Sequence, residues 1–442
     1  MMTMLSRYKG KMHLSRLNKR VVVTTCLLMI FSLYAPYVRS FTYIYQIIVL
    51  VFIFLIARKN IASCIVPLVT LTVTRDYIAA SISESFVPYY GINGRILVVM
   101  MVIIIALLLY KNDFRIYSNK SSLMMMLFGF QMLLSQFYAI SLKEYGEFFS
   151  GICLMYIIIP YFIESDEDII MSRIAFALAG VFMAIAILPY IMNYGDLSSY
   201  TAFINGNSLL VDRNYQSLFA MLCILQIIVL LIETGKRFAL ILKVGLISTI
   251  IANLAIVVAG GSRSAIITMM SGIIIYLIIN RKNISKFILF LLIVSLLGII
   301  AYQMGLFDVV IERFNANDVS SGNGRFDIWK LFIDSYFNGN IISWLFGRGL
   351  VGVFYTNSPA HNVYISILFC FGIVGGILYL GNIAATVCNC IKTHHANELI
   401  ILIPILIMCC TLEPYYRIEC AVYIPLLSSA SVYYLRRSLI PI

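Results

Sequence analysis

The amino-acid sequence predicts an all-α polytopic membrane protein with about twelve to fourteen transmembrane helices. Of its 442 residues, 61% are hydrophobic and only 12% are charged, whereas soluble domains are typically about 45–50% apolar and about 25% charged. The apolar residues are grouped in runs of about twenty, the length at which a helix crosses the hydrocarbon core and satisfies its own backbone hydrogen bonds. Because so little polar surface remains, the net charge of +12 does not indicate a nucleic-acid-binding protein.

The predicted helices follow the apolar runs along the chain. Their approximate bounds are residues 21–38, 41–57, 61–74, 96–110, 122–141, 148–163, 174–192, 215–232, 238–259, 264–280, 286–304, 361–387, 399–412 and 420–435. The third and the thirteenth runs are short, so twelve spans and fourteen spans are both compatible with the pattern. An even number is expected in either case, which places both ends of the chain on the same side of the membrane.

The same pattern divides the chain into four parts. Residues 1–20 form a basic N-terminal segment, 21–304 contain the first eleven spans, 305–360 form a long loop, and 361–442 contain the last three spans and the C-terminus. No A-x-A-like cleavage site follows the first apolar run near Ser40. The first span is therefore expected to be retained rather than removed as a signal peptide.

Charge sets the expected orientation. With the N-terminus placed in the cytoplasm, about two thirds of the 32 lysines and arginines fall on the inner side, and most of the 20 acidic residues fall outside. This distribution is the positive-inside bias that orients multispanning proteins. It predicts that both termini are cytoplasmic.

The residues Cys388, Cys390, His394 and His395 lie together after a predicted span. Their spacing does not match that of common zinc sites, so we interpret them as an apolar helix end followed by a solvated inner loop. Neither a metal ion nor a cofactor is expected from the sequence.

Polar and ionisable residues gather on the predicted outer side and are nearly absent from the middle of the spans. They occur in four segments, namely Asn193–Asn214, Gly260–Ser264, the loop 305–360 and Glu413–Glu419. A transporter would be expected to place ionisable groups near the middle of the membrane, along its pathway. The distribution instead favours a site at one membrane face.

The loop 305–360 is far longer than the usual connection, and such loops are generally functional or disordered. Within it, charged and aromatic residues alternate at helical spacing from Arg325 to Phe337, which predicts an amphipathic helix on the outer membrane surface. Gly347 and Gly349 then permit a sharp turn back toward the membrane, where the next span begins at His361.

Three residues in these segments are candidates for chemistry, and each has a simpler alternative. Arg263 opens a helix that Ser262 or Ser264 can cap, which makes a natural anion site, although an arginine anchored among lipid headgroups fits the same spacing. Arg325 is suited to phosphate binding, and it is equally typical of a cation on the exposed face of an interfacial helix. His361 fits a general base or a residue that caps the helix start.

Four short motifs, in this order, resemble those of the O-antigen polymerase and O-antigen ligase superfamily over roughly residues 200–380. They are Gly261-Ser262-Arg263-Ser264-Ala265, Gly324-Arg325-x-x-Ile328-Trp329, Leu345-Phe346-Gly347-x-Gly349 and His361-Asn362-x9-Gly372-x-x-Gly375. The small residues of the last motif also fit close packing between helices in lipid. The resemblance implies a metal-independent integral-membrane glycosyltransferase, with an undecaprenyl-diphosphate-linked glycan as donor, at the periplasmic face of the bacterial inner membrane.

The resemblance also implies roles for the candidate residues. Arg263 and Arg325 are expected to hold the diphosphate oxygens and stabilise the leaving group, because a guanidinium binds phosphate bidentately and stays charged. His361 is expected to act as general base toward the acceptor hydroxyl, since histidine ordinarily titrates near neutral pH. Candidate substrate contacts are Arg213, Asn214, Asn362, Trp329, Arg348 and Tyr416.

Alternatives to these roles follow from the same residues. Glu413 and Glu419 are rival bases, for which ion pairs with Arg417 at a span end are the simpler interpretation. Trp329 and Tyr416 fit sugar stacking, and they equally fit an aromatic belt at the membrane interface.

Two reactions and one transport function fit the motifs. A polymerase transfers the glycan to a sugar hydroxyl of another lipid-linked repeat unit, and a ligase transfers it to lipid A-core. The Gly-Arg-x-x-Ile-Trp and Leu-Phe-Gly-x-Gly segments are more typical of polymerases, which we favour, whereas His-Asn-x9-Gly-x-x-Gly is associated with ligases. A flippase for the same lipid-linked sugars is the third hypothesis.

Expected partners are the lipid-linked oligosaccharide, the bilayer and a chain-length regulator, with no nucleic acid.

Overall fold

The computed structural model describes residues 14–34, 39–71, 94–111, 119–137, 142–194, 213–235, 238–280, 324–350, 359–413 and 421–439, together with the isolated positions 288, 292, 295, 299, 302, 303 and 311. All regular structure within these residues is helical, which confirms the predicted all-α fold. The helices are α1 Arg16–Tyr34, α2 Arg39–Lys59, α3 Ala62–Leu71, α4 Gly94–Tyr110, α5 Lys120–Ser135, α6 Leu142–Ile158, α7 Asp166–Tyr194, α8 Arg213–Thr234, α9 Leu240–Ala259, α10 Arg263–Ile279, α11 Arg325–Phe337, α12 Ile341–Phe346, α13 Val363–Lys392, α14 Leu399–Met408 and α15 Tyr423–Leu439.

Four of these helices, α7, α8, α9 and α13, contain segments long and apolar enough to cross a membrane. Shorter apolar helices accompany them, among them α4, α10 and α14. The chain is therefore a polytopic helical membrane protein, as predicted. The total of twelve to fourteen spans stays a prediction, because several connecting segments and most of the predicted span 286–304 lie outside the described residues.

The helix ends differ from the predicted span bounds where local hydrogen bonds decide them. The predicted span 361–387 corresponds to α13, which begins two residues later, after the cap residue Asn362, and continues to Lys392. The predicted span 399–412 ends as a helix at Met408, where the chain turns. Hydropathy does not register caps and turns, so these bounds could not be taken from the apolar runs alone.

Ion pairs gather at one end of the bundle. Arg173 of α7 is almost fully buried and binds Glu233, near the end of α8, at 3.0 Å and Glu398, just before α14, at 2.6 Å. Asp166, at the start of α7, pairs with Arg437 of α15. The charge pattern places all five residues on the inner side, and the structure brings them together at one face.

Helix α13 is broken at Gly372, whose φ of 65° and ψ of −164° lie outside the helical region. Such a break frees carbonyl groups, and a helix in lipid needs them to find new donors. The backbone N–H groups of Arg348 and Gly349 donate to the carbonyls of Phe369 and Cys370, at 3.0 and 2.8 Å. The segment Leu345–Gly349, which we call the strap, thus replaces part of the helix's own hydrogen bonding.

The third carbonyl at the break is bound from another helix. The side chain of Gln131, on α5, donates to the carbonyl of Phe371 at 2.6 Å. Glycine at 372 is required for this packing, because a Cβ there would overlap the backbone of Leu345 in the strap. The strap and the kink therefore contact each other directly through their backbones.

The kink also shows which part of α13 has the length of a span. The portion after Gly372, residues 373–392, has about twenty residues and so a length of about 30 Å, enough to cross the hydrocarbon core. The shorter portion, residues 363–371, packs with the strap and with α11. The start of α13 therefore forms one packed unit with α11 and α12 at this end of the bundle.

The substitution Gly347→Ala is expected to destabilise the protein. Gly347 has a φ of 75°, and a Cβ at this position would overlap the backbone of Cys370 and Phe371, which cannot move aside as a flexible side chain would. We expect a loss of about 1–3 kcal/mol in the free energy of unfolding, measured by thermal unfolding of the purified protein in detergent. The matched control is Gly376→Ala in α13, where a Cβ would meet open space. Equal losses in both variants would contradict this account of the strap.

Candidate active site

The described parts of the polar segments predicted to lie outside meet at the end of the bundle opposite Arg173. Helix α8 connects the two ends, since Glu233 near its last residue binds Arg173 and its first turn begins at Arg213. Direct contacts link this first turn to the α9–α10 turn, to the residues after α14 and through them to the start of α13. Helix α11 completes the cluster.

The turn between α9 and α10 packs on the start of α8. A Cβ at Gly260 would overlap the hydroxyl of Ser217 and lie 3.3 Å from the carbonyl oxygen of Arg213. A larger residue at this position would force the Ser217 side chain to move. The contact brings Arg213 and the Arg263 end of α10 to the same end of the bundle.

Helix α10 begins as predicted. Gly261 turns the chain with a φ of 56°, and the buried Ser262 caps the helix by accepting a hydrogen bond from the amide of Ala265 at 3.4 Å. Ser262, and not Ser264, is therefore the cap. Arg263 is the first helical residue and is partly exposed.

The residues after α14 connect α8 with α13. The backbone N–H of Glu413 donates to the hydroxyl of Tyr215, in the first turn of α8, at 3.2 Å. The carboxylate of Glu413 is fully buried and accepts a hydrogen bond from the hydroxyl of Ser366, in the first turns of α13. A buried carboxylate is costly unless it is hydrogen-bonded, so these contacts fix its position firmly.

The start of α13 is tied to the end of α14 by two further hydrogen bonds. Asn362 caps α13, because its side-chain oxygen accepts from the amides of Tyr364 and Ile365 at 3.0 and 3.2 Å. Its side-chain nitrogen donates to the carbonyl of Cys410 at 3.3 Å, and the amide of Val363 donates to that of Cys409 at 2.8 Å. The cap is therefore Asn362 rather than His361, and Asn362 uses its polar atoms within the protein.

His361 has an unusual backbone conformation. Its φ is 53°, in the left-handed region that residues other than glycine rarely adopt. Holding such a conformation costs of the order of 1–3 kcal/mol, and such residues cluster at functional sites. His361 is partly exposed.

Helix α11 extends from Arg325 to Phe337, with the bounds that the alternation of charged and aromatic residues predicts. It is anchored by Phe332, whose fully buried ring packs edge-on against Phe369 of α13 with the ring centroids 4.9 Å apart. The indole N–H of Trp329 donates to the carbonyl of Ala360 at 2.7 Å. The long loop therefore places a helix directly beside the histidine.

The three arginines of the predicted site share one structural position. Arg213, Arg263 and Arg325 are the first residues of α8, α10 and α11. The helix dipole opposes a cation at this end by about 0.3–1 kcal/mol and favours an anion there. Guanidinium groups beside helix amides can therefore bind phosphate oxygens, at some cost to the stability of the ligand-free helices.

The remaining predicted site residues are placed differently. Arg348 lies at the kink, where its guanidinium donates to the carbonyl of Ser335 at 2.7 Å and lies 5.4 Å from the centre of the Phe369 ring. Asn214 is partly exposed in the first turn of α8. Tyr416 falls outside the described residues. The part of Arg348 and Asn214 in substrate binding stays a prediction.

Sequence reasoning gave too little weight to Glu413. It appeared as one member of an ion pair with Arg417, which lies outside the described residues, whereas the structure buries its carboxylate against Ser366. A signal was present in the sequence, because a glutamate follows directly on the apolar run of α14. Its partner is 47 residues away, which no local pattern reveals.

The segment Cys388–His395 lies at the opposite, predicted inner, end, and its exposure varies from residue to residue, since Cys388 and His394 are exposed. Cys390 is buried, and the ring of His395 stacks on Tyr434 with the centroids 3.4 Å apart. Burial lowers the pKa of His395 to about 4, so this histidine is neutral at physiological pH.

The fold and the site together define a polytopic membrane protein with a polar cluster of arginines, a histidine and a buried carboxylate at one end of a helical bundle. Residues 248–380 match a protein-family model described as O-antigen ligase. The match contains Arg263, Arg325, the strap and His361, and it confirms the resemblance to the O-antigen polymerase and ligase superfamily over this segment. It implies a glycosyltransferase-like enzyme. No curated protein matches the chain.

Proposed function

We propose that the protein is a surface-polysaccharide polymerase of the O-antigen type. It transfers a glycan from undecaprenyl diphosphate to a sugar hydroxyl of another lipid-linked repeat unit, at the periplasmic face of the bacterial inner membrane. The observation that carries the proposal is the convergence of Arg213, Arg263, Trp329 and His361, from four separated segments, at one end of the bundle.

The arginines suit the donor. When the bond between the sugar and the diphosphate breaks, negative charge develops on the leaving diphosphate. Arg263 and Arg325 can hold its oxygens bidentately and stabilise that charge, and the amides at the starts of α10 and α11 add to the effect. Diphosphate is already a good leaving group, so fixed cations suffice for this step and the proposed reaction needs no metal ion.

The histidine suits the acceptor. As the acceptor oxygen forms its new bond to the anomeric carbon, its proton passes to the imidazole of His361. Asn362 positions the histidine through the cap it makes on α13. The buried carboxylate of Glu413 accepts a hydrogen bond from Ser366, in the first turn of α13, and so ties the helix that follows His361 to the residues after α14.

The second candidate function is an O-antigen ligase. The family model that matches residues 248–380 carries that description, and the His-Asn-x9-Gly-x-x-Gly pattern is present. The glycines of this pattern form the kink and its packing, a structural requirement that a polymerase and a ligase can share. A flippase is favoured less, because the arginines and the histidine lie at one end of the bundle rather than along a central cavity.

The experiment that tests the proposal is a lipopolysaccharide gel on cells lacking the gene, with and without rescue from a plasmid. For a polymerase we expect a lipid A-core bearing a single repeat unit, because ligation continues when polymerisation stops. Rescue should restore the full ladder. Bare core, with long polymer left on undecaprenyl diphosphate, would instead identify a ligase, and an unchanged ladder would contradict both enzymatic functions.

A further inference from the structure

The segment that carries His361 is held from two sides. On one side, Asn362 and Val363 bind the carbonyls of Cys410 and Cys409 after α14. On the other side, the indole N–H of Trp329 binds the carbonyl of Ala360, the residue directly before the histidine, at 2.7 Å. These contacts flank the one residue of the segment whose backbone is in the left-handed region.

Helix α11 is also held at other points along its length. Phe332, one turn further along, packs against Phe369 of α13. At the far end of α11, the hydroxyl of Tyr336 donates to the carbonyl of Trp344, and the indole of Trp344 donates back to the carbonyl of Tyr336, at 2.7 and 2.9 Å. Helices α11 and α12 are therefore joined to each other, and both pack on the first portion of α13.

The same helix carries Arg325. Arg325 precedes Trp329 by four residues, so the two side chains lie on one face of α11, one turn apart. The hydrogen bond from Trp329 to Ala360 consequently sets the position of Arg325 relative to His361. This one hydrogen bond therefore affects the positions of both the arginine proposed to stabilise the leaving group and the proposed base.

We propose that Trp329 is a positioning residue, which holds the His361 backbone and fixes the helix that carries Arg325, rather than a platform for sugar stacking. This inference rests on the proposed function, because it assigns Trp329 a part in arranging that site. The polar atom of Trp329 is used within the protein, and its ring packs edge-on against Phe326 with the centroids 5.3 Å apart.

The test compares Trp329→Phe with a matched control, Trp344→Phe. Each variant keeps an aromatic ring and removes one indole donor from the same unit, but only Trp329 donates beside His361. Transfer is measured with the purified full-length protein in liposomes, using the undecaprenyl-diphosphate-linked repeat unit isolated from the deletion strain. Hydrogen–deuterium exchange is measured on peptides covering residues 359–367 in the same preparations.

For Trp329→Phe we expect kcat to fall about tenfold or more, with KM for the lipid-linked donor changed by less than about twofold, because misplacement of reacting groups lowers the rate more than binding. Exchange of the amides after His361 should become about two- to tenfold faster, the effect of losing one hydrogen bond. Trp344→Phe should match the wild type in kcat and in exchange at this segment.

Three outcomes would overturn the inference. One is a Trp329→Phe variant that raises KM alone, as loss of a stacking platform would. Another is an equal fall of kcat in the Trp344→Phe variant, and the third is unchanged exchange over residues 359–367 in Trp329→Phe. Failure of the proposed function is distinguishable, because a wild-type protein without transfer activity would still give the exchange comparison.

Discussion

The substitution His361→Asn is expected to abolish most of the transfer activity while the protein stays folded. Asparagine tolerates the left-handed conformation better than most residues, so it suits the φ of 53° at this position and removes only the imidazole. Loss of a general base lowers kcat about 10²- to 10⁴-fold. His361→Ala would add backbone strain to the same loss, and it is therefore the less informative variant. The assay is polymer formation from the lipid-linked repeat unit in liposomes.

The chain offers a control with the same substitution in the same backbone conformation. His394 has a φ of 58° and lies at the opposite end of α13, beyond Lys392. His394→Asn should leave kcat and the thermal unfolding temperature unchanged. A His361→Asn variant that polymerises as fast as His394→Asn would remove His361 from the proposed mechanism and leave Glu413 as the base to examine.

The features that the sequence predicted correctly are those with local causes. Helix Arg325–Phe337 follows from an alternation of charged and aromatic residues that only one conformation can separate onto two faces. The start of α10 follows from Ser262, a cap residue directly before an apolar run. The turns at Gly347 and Gly349 follow from paired glycines, and both have positive φ.

The features that the sequence did not predict depend on residues far apart along the chain. The kink at Gly372 exists because the strap and Gln131 supply donors to the carbonyls it frees, and Gln131 is 240 residues away from its acceptor. The burial of Glu413 depends on Ser366. The role of Trp329 depends on the carbonyl of Ala360, which carries no side-chain signal at all. A pattern of residue types predicts the helix in which it occurs, whereas these contacts join residues of different helices.

The substitutions Arg263→Gln and Arg325→Gln are each expected to lower kcat/KM by about 10²- to 10³-fold, the usual effect of removing one group that stabilises developing charge. Arg263→Lys and Arg325→Lys should recover only part of the loss, because an ammonium group binds phosphate as a point charge and not bidentately. The glutamine variants should lose much less stability than activity, because each substitution also removes an unfavourable interaction with the helix dipole. Both arginines are the first residues of their helices, where the helix dipole opposes a cation.

This combination, a large loss of activity without a matching loss of stability, separates a binding role from a structural one. The control is Arg58→Gln, an exposed arginine in the last turn of α2, where the dipole favours a cation. It should keep full activity and lose a few tenths of a kcal/mol in the free energy of unfolding. If both Arg263→Gln and Arg325→Gln retained full activity, or if their activity fell only in step with their stability, the anion-binding role of the two helix starts would have to be given up. The proposed mechanism would then need a different cation to stabilise the leaving diphosphate. Among the three arginines, Arg213 at the start of α8 is the one candidate that would remain.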